Sequence, residues 1–176
     1  FEEDARRFYE VLGKRLGRFG LELSAEKTRI IPFSAKALGK SSFDFLGFEF
    51  RWGLDRKGKP HVDKRTARKS LRKSQKRLTQ WCKDNRHRRI PELFKALNAK
   101  LRGYYNYFGV YGNLSSLNAF YLHAVRSLWK SLNRRSQRKS YNWLGFNQLM
   151  ERFGIAKPRI AGRPKRAVMR VASGLA

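Results

Sequence analysis

The sequence predicts an α+β protein that is mostly helical, with one helix and short antiparallel strands followed by a helical bundle. Two observations lead to this prediction. Between residues 43 and 52 aromatic side chains alternate with other residues, as they do in a strand. From about residue 64 onward, apolar residues recur every three or four positions, which is the period of a helix.

The first helix is predicted at residues 2–19. Its apolar residues recur at helical spacing, three acids favour its positive end, and Gly20 is placed to end it. The next segment, TRIIPF at residues 28–33, is predicted to be a short strand in which Pro32 marks an edge or an end.

The aromatic run FDFLGFEFRW, residues 43–52, predicts a strand with a defect. Phe43 and Phe45 share one face, whereas the alternation after them is out of phase by one residue. A slip of one residue exchanges the two faces, so a bulge or sharp bend is expected at Leu46-Gly47. After a turn at residues 55–59, residues 61–63 are expected to return as a hairpin strand.

A basic helix is predicted from Lys64 to Arg86. Its cations step along the chain by three and one, which places them on one side of the helix. They are Arg65, Arg68, Lys69, Arg72, Lys73, Lys76 and Arg77. An ordinary solvated surface is the simpler interpretation. However, like charges four residues apart destabilise a helix, so contact with a polyanion is the favoured interpretation.

The overall charge supports the same partner. The 176 residues contain 41 Lys and Arg against 13 Asp and Glu, a net charge of +28. Such a chain attracts polyanions, and DNA or RNA is favoured over a membrane because no segment resembles a spanning helix. One cysteine and three scattered histidines predict neither a disulfide nor a metal site, which is consistent with a cytoplasmic location.

Three further helices are predicted, at residues 91–108, from Ser115 or Ser116 to about Arg138, and at residues 143–153. Pro91 fits the start of the first of them. Residues 156–176 contain Pro, Gly and basic residues without a strong period. This segment is expected to be a flexible basic tail or a nucleic-acid-binding arm.

The segment LNAKLRGYYNYFGVYG, residues 97–112, concentrates aromatic rings in the second helix of the bundle. At 100° per residue, one broad arc holds Leu93, Phe94, Leu97, Leu101, Tyr104, Tyr105, Tyr107 and Phe108. Core packing and base stacking both remain open for these rings. The opposite side is thin, with Ala96, Ala99 and Gly103 flanked by Lys95 and Arg102. Close approach of RNA or of a neighbouring helix would explain a glycine there.

Several motifs in this order resemble the C-terminal part of group II intron reverse transcriptases/maturases. GLELSAEKT resembles the block after the catalytic YADD of the palm, FLGF the primer-grip turn, and LRGYYNYF the maturase motif, in which Tyr104 replaces the usual tryptophan. The resemblance covers roughly residues 1–150. It implies a palm remnant at residues 1–63, a helical thumb/maturase domain at 64–155 and a basic tail at 156–176.

The resemblance also implies roles for particular residues. Lys27 would be an accessory residue near the palm, and Phe45, Leu46, Gly47 and Phe48 would form the primer-grip-like turn. RNA contacts are expected at Lys95, Arg102, Gly103 and Tyr104, in addition to the cations of the basic helix. The YADD carboxylates are absent from the chain, so we expect no polymerase activity from it alone, and Mg²⁺ is expected only in a full-length parent.

The resulting functional hypothesis is a bacterial-type maturase segment that binds group II intron RNA and supports splicing. In a full-length parent it would also take part in reverse transcription and intron mobility, with an RNA/DNA primer-template as a second partner. The alternative is a general basic nucleic-acid-binding protein. The FLGF turn favours the maturase, because a coating protein does not need it.

Overall fold

The computed structural model describes residues 2–24, 26–37, 41–135 and 140–161. It confirms an α+β fold that is mostly helical, with a three-stranded antiparallel sheet in the order β1-β2-β3. The elements in chain order are α1 (Glu2–Gly17), β1 (Ser42–Phe45), β2 (Phe48–Leu54), β3 (Pro60–Thr66), α2 (Arg68–Asp84), α3 (Ile90–Phe108), α4 (Leu114–Leu132) and α5 (Trp143–Phe153).

Helix α1 forms where it was predicted, with its three acids in the first turn. The chain leaves it through a turn in which Gly20 has a φ of +68°. No residue of α1 is buried by the described part of the chain, and Phe8 and Val11 are exposed. The apolar residues of α1 therefore recur at helical spacing but do not pack into the core.

The strand predicted at residues 28–33 is wrong. Within the described range 26–37, this segment has no ladder of hydrogen bonds, and the only regular element is a 3₁₀ turn at Ala35–Ala37. It is held instead by aromatic contacts. The ring of Phe33 lies 5.0 Å from that of Phe43 and 5.5 Å from that of Trp52, between centroids. Phe33 thus packs on a face of the sheet, and the segment does not extend the sheet.

The expected defect at Leu46-Gly47 is a complete chain reversal. Residues 43–52 form parts of two strands, and Phe45 pairs with Phe48 across a two-residue turn. Both turn residues have positive φ, +49° at Leu46 and +81° at Gly47, as a type I′ hairpin requires. The phase of the alternation changes because the two runs belong to different strands, so the single bulged strand is a wrong prediction.

The basic helix begins later than predicted, because residues 64–66 continue β3. Two tertiary hydrogen bonds hold the chain extended at this point. The backbone N–H of Thr66 donates to Oδ1 of Asn113 (2.8 Å), and that of Ala67 donates to the carbonyl of Gly47 (2.9 Å). Helix α2 starts only after these bonds, at Arg68.

The core lies among α2, α3, α4 and α5. Helices α3 and α5 have the predicted bounds within one residue. Helix α4 ends at Leu132, before the predicted Arg138, which lies among residues 136–139 outside the described part. The residue preceding α4 is Asn113, so the predicted cap at Ser115 or Ser116 is also wrong. The side chain of Asn113 makes no capping hydrogen bond, because its amide bonds to Thr66 and Phe108 instead.

The start of the predicted flexible tail is fixed along α3. The N–H of Ala156 donates to Oδ1 of Asn98 (2.7 Å), and the N–H of Ala161 donates to the carbonyl of Gly109 (2.7 Å). Ile160 packs against the core between these bonds. The remainder of the predicted tail, residues 162–176, lies outside the described residues.

Candidate nucleic-acid interface

The aromatic cluster of α3 is mainly core. Tyr105 and Phe108 are only 1% and 8% exposed, and they lie beside buried leucines of α3 and α4. Burial raises the pKa of Tyr105 well above its usual range. These rings have no free face for a base, so the core interpretation of Tyr105 and Phe108 is confirmed.

Tyr104, which was expected to contact RNA, lies at the margin of the core. Its ring is stacked on Phe120 with 3.7 Å between centroids, and it lies 4.6 Å from Phe108. Burial raises the pKa of its hydroxyl to about 12. One ring face is therefore covered by packing, and the RNA contact expected at Tyr104 stays a prediction.

Tyr107, predicted within the apolar arc, is 55% exposed and joins the hairpin to α3. Its hydroxyl donates to the carbonyl of Leu46 (2.9 Å), and its ring stacks on Phe48 at 5.9 Å. The primer-grip-like turn is thus docked on the maturase-like segment. Phe45 and Leu46 remain exposed at the tip, while Phe48 packs inward.

The thin side of α3 is open to solvent. Lys95, Ala99, Arg102 and Gly103 are exposed. A Cβ placed on Gly103 would meet no atom of the described chain within 4 Å. A neighbouring helix of the described chain therefore does not explain this glycine, and approach by an external molecule remains the alternative.

Helix α2 carries an exposed row of cations, here called the α2 strip. Its members are Arg68, Lys69, Arg72, Lys73, Lys76 and Arg77. On the opposite side, Leu78 and Cys82 are buried in the core. Packing of that side fixes the orientation of the strip, and the first acid along α2 is Asp84 at its end.

Arg65 does not belong to the strip. It lies on β3, where its guanidinium donates to both carboxylate oxygens of Glu49, at 2.9 and 2.7 Å. The hydrogen bond from Arg65 lowers the pKa of Glu49, and the same bond raises that of Arg65. The predicted helical position of Arg65 is wrong because the residue falls in a strand, and its charge is already paired.

A second group of cations was missed in the sequence. Helices α2 and α4 are separated by α3 along the chain but lie side by side, and a groove of about 670 Å³ opens between their C-terminal halves. We call it the α2–α4 groove. Its cations are Lys83, Arg86, Arg126, Lys130 and Arg134. The spacing of Arg126, Lys130 and Arg134 by four was the available signal, since it places them on one side of a helix.

Lys27 is exposed in a turn, in which its backbone N–H donates to the carbonyl of Ser24 (3.1 Å). No nearby carboxylate cluster gives it a catalytic setting: the described ranges contain no group of three or more His, Cys, Asp or Glu able to hold a metal ion. In the same ranges no helix is both long and apolar enough to cross a membrane.

A helical bundle with basic surfaces on two of its helices, joined to a small sheet, is typical of nucleic-acid-binding proteins. Residues 71–148 match the family model for the maturase-specific domain of group II introns. This segment is therefore similar to that domain, and the similarity supports a group II intron maturase role in splicing. Searches of curated proteins and of solved structures gave no significant match.

The matched segment begins within α2 and ends within α5, so it includes most of the α2 strip and all of the groove cations. The resemblance is confirmed over these residues. Helix α1 and the sheet lie outside the match, and the assignment of residues 1–63 to a palm remnant stays a prediction.

Proposed function

We propose that this chain supports group II intron splicing by binding the intron RNA through the α2 strip. The observation that carries the proposal is the orientation of the strip, with six exposed cations fixed on one side of a helix whose other side is core. Like charges held together in this way destabilise the free helix. Phosphates would neutralise them and release counterions, which favours binding.

Replacing Arg68, Arg72 and Lys76 with Gln is expected to weaken binding of a labelled RNA hairpin and to lower the salt dependence. Each lost phosphate contact removes about 0.7 to 0.9 from the slope of log K against log salt concentration. Titrations at several salt concentrations measure both effects. The matched control replaces Lys14, Arg15 and Arg18, which are exposed on or just after α1, with Gln. Equal losses in the two variants would mean that only net charge matters, and no loss in the first would assign the strip to solvent.

Arg102 is expected to contribute to selectivity. It is exposed beside the open backbone at Gly103, and a guanidinium fork with free access can bind a shaped RNA site. Arg102→Ala should change the free energy of unfolding by no more than about 0.5 kcal/mol. It should reduce affinity for a group II intron RNA more than for an unrelated duplex.

The control for Arg102→Ala is Lys57→Ala, in the exposed turn between β2 and β3. Both variants remove one exposed cation, but only the first lies beside the open side of α3. A similar loss for both RNAs in the Arg102 variant would instead favour the alternative function, a general basic nucleic-acid-binding protein.

Reverse transcription and intron mobility belong, in this proposal, to a longer parent chain that carries the YADD carboxylates. The donor set of the described residues does not fit a two-metal centre, so no Mg²⁺ ligand is assigned to them. The docked hairpin, with Phe45 and Leu46 exposed at its tip, is the element proposed to approach a primer-template in such a parent.

A further inference from the structure

The α2–α4 groove lies between two helices that run in the same direction. Residues near the middle of α2 meet the middle of α4: Thr79 Oγ1 lies 3.2 Å from the hydroxyl of Ser127. Further along, Arg135 donates to the carbonyl of Arg88, which ties the ends together. The C-terminal ends of α2 and α4 therefore lie at the same end of the molecule.

Both helices that border the groove carry cations, and those on α2 continue the line of the strip. At about 100° per residue, Arg68, Arg72, Lys76 and Lys83 lie within 80° of one another around α2, and Arg86 follows two residues after its end. The strip thus continues into the groove. Helix α4 adds a second row only in its latter half, where Arg126 and Lys130 are exposed, because its first two turns contain no Lys or Arg. Exposed Arg134 continues this row just after the helix ends.

Helix dipoles explain only part of this arrangement. Cations favour the last turn of a helix, and Lys83 and Lys130 lie there. Arg126 lies more than one turn before the end of α4, beyond the range of that effect. Among the described residues that line the groove the one acid is Asp84, whose carboxylate accepts a hydrogen bond from Gln80 (2.7 Å). Five cations therefore face one acid in the groove lining, which leaves it with a net positive charge.

The floor of the groove is polar. His123 Nε2 donates to the carbonyl of Gln75 (3.1 Å) and also lies 2.8 Å from Thr79 Oγ1. Burial lowers the pKa of His123, the hydrogen bond to Gln75 opposes this shift, and the nearby charges of Arg126 and Lys130 lower the pKa further. Hydroxyls, an imidazole and five cations suit a phosphate backbone, which is bound through charges and hydrogen bonds and needs no apolar pocket of the kind that anchors protein side chains.

We infer that the α2–α4 groove is a phosphate-binding track for RNA. One RNA backbone segment runs along α2 from the strip into the groove, where Arg126, Lys130 and Arg134 contact its phosphates from the second side. The inference rests on the proposed function, because the same RNA is bound by the strip. The inference adds a binding surface on α4 and a path for the RNA backbone from the strip into the groove.

The test compares Arg126→Gln/Lys130→Gln with Lys14→Gln/Arg15→Gln, which removes the same charge from α1. The groove variant should bind a labelled RNA hairpin about tenfold more weakly at 0.15 M salt, with a salt slope lower by about 1.4 to 1.8. The α1 variant should lose less than half of that slope. Circular dichroism melting curves establish that both variants are folded.

The ring resonances of His123 in histidine-labelled protein report groove occupancy directly. Saturating RNA should shift them in the wild type and in the strip variant, and should not shift them in the groove variant. Weaker binding by the strip variant alone, with no His123 shift in any protein, overturns the groove and leaves the proposed function standing. Unchanged RNA binding by the strip variant (Arg68, Arg72 and Lys76 to Gln) and by the groove variant overturns both proposals. A His123 shift with polyglutamate but not with RNA overturns the inference in favour of an acidic protein segment.

Discussion

Phe108→Ala is expected to lower the free energy of unfolding by about 3 to 5 kcal/mol, the usual cost of deleting a buried phenylalanine ring. The ring is 8% exposed and lies where the hairpin docks on α3. Its centroid is 5.2 Å from that of Phe48, and a Cβ on Gly47 would lie 3.5 Å from the Cε1 and Cζ atoms of the ring. Truncation would leave a cavity between two elements that are distant in sequence.

Chemical denaturation followed by circular dichroism measures this loss. Phe45→Ala is the matched control, since it deletes the same ring from the exposed hairpin tip and should change stability by about 0.5 kcal/mol or less. RNA titrations of both variants complete the experiment. If Phe108→Ala melts like the wild type but loses RNA affinity, the ring is a stacking platform and its assignment to the core is refuted.

Asn113→Ala is expected to cost about 1 to 3 kcal/mol, because it leaves the buried N–H of Thr66 without its acceptor. The wild-type amide joins three elements. Its Oδ1 accepts from Thr66 N, and its Nδ2 donates to Thr66 Oγ1 and to the carbonyl of Phe108, each at 2.8 Å. Asn118→Ala, on the exposed side of α4, provides the control and should be close to neutral.

Asn113→Asp adds a test of the same network by pH. The new carboxyl keeps the acceptor for Thr66 but places a second oxygen against the carbonyl of Phe108. Burial and this contact would raise its pKa in the folded state above the ordinary value of about 3.9. The variant should therefore lose stability relative to the wild type as pH rises above about 4. Equal pH profiles of the two proteins would contradict the hydrogen bond from Asn113 to Phe108.

Local patterns determined a large part of this protein. Helices α3 and α5 were predicted almost to the residue, and for α3 the reasons are that Pro91 marks its start and apolar residues recur along it at helical spacing. The same periodicity placed Tyr105 and Phe108 in the core and put the cations of α2 on its exposed side. Such features depend on which side of a single helix is apolar, and that is written in consecutive residues.

Tertiary contacts decided the rest. The beginning of α2 depends on the hydrogen bonds that the backbone N–H groups of Thr66 and Ala67 donate to Asn113 and Gly47. These bonds hold the chain extended, so Arg65 falls in a strand and pairs with Glu49. Periodicity alone could not locate that boundary, because the partners are about 20 and 47 residues away in sequence.

The α2–α4 groove is the clearest product of the tertiary structure. The sequence shows the charges of α2 and α4 as separate rows with the whole of α3 between them. Only the packing of the two helices side by side brings Lys83 within one groove with Arg126. Electrostatic attraction for a polyanion depends on the distance between charges in space, so the sequence determined that the protein is basic, and the fold determined where its cations act together.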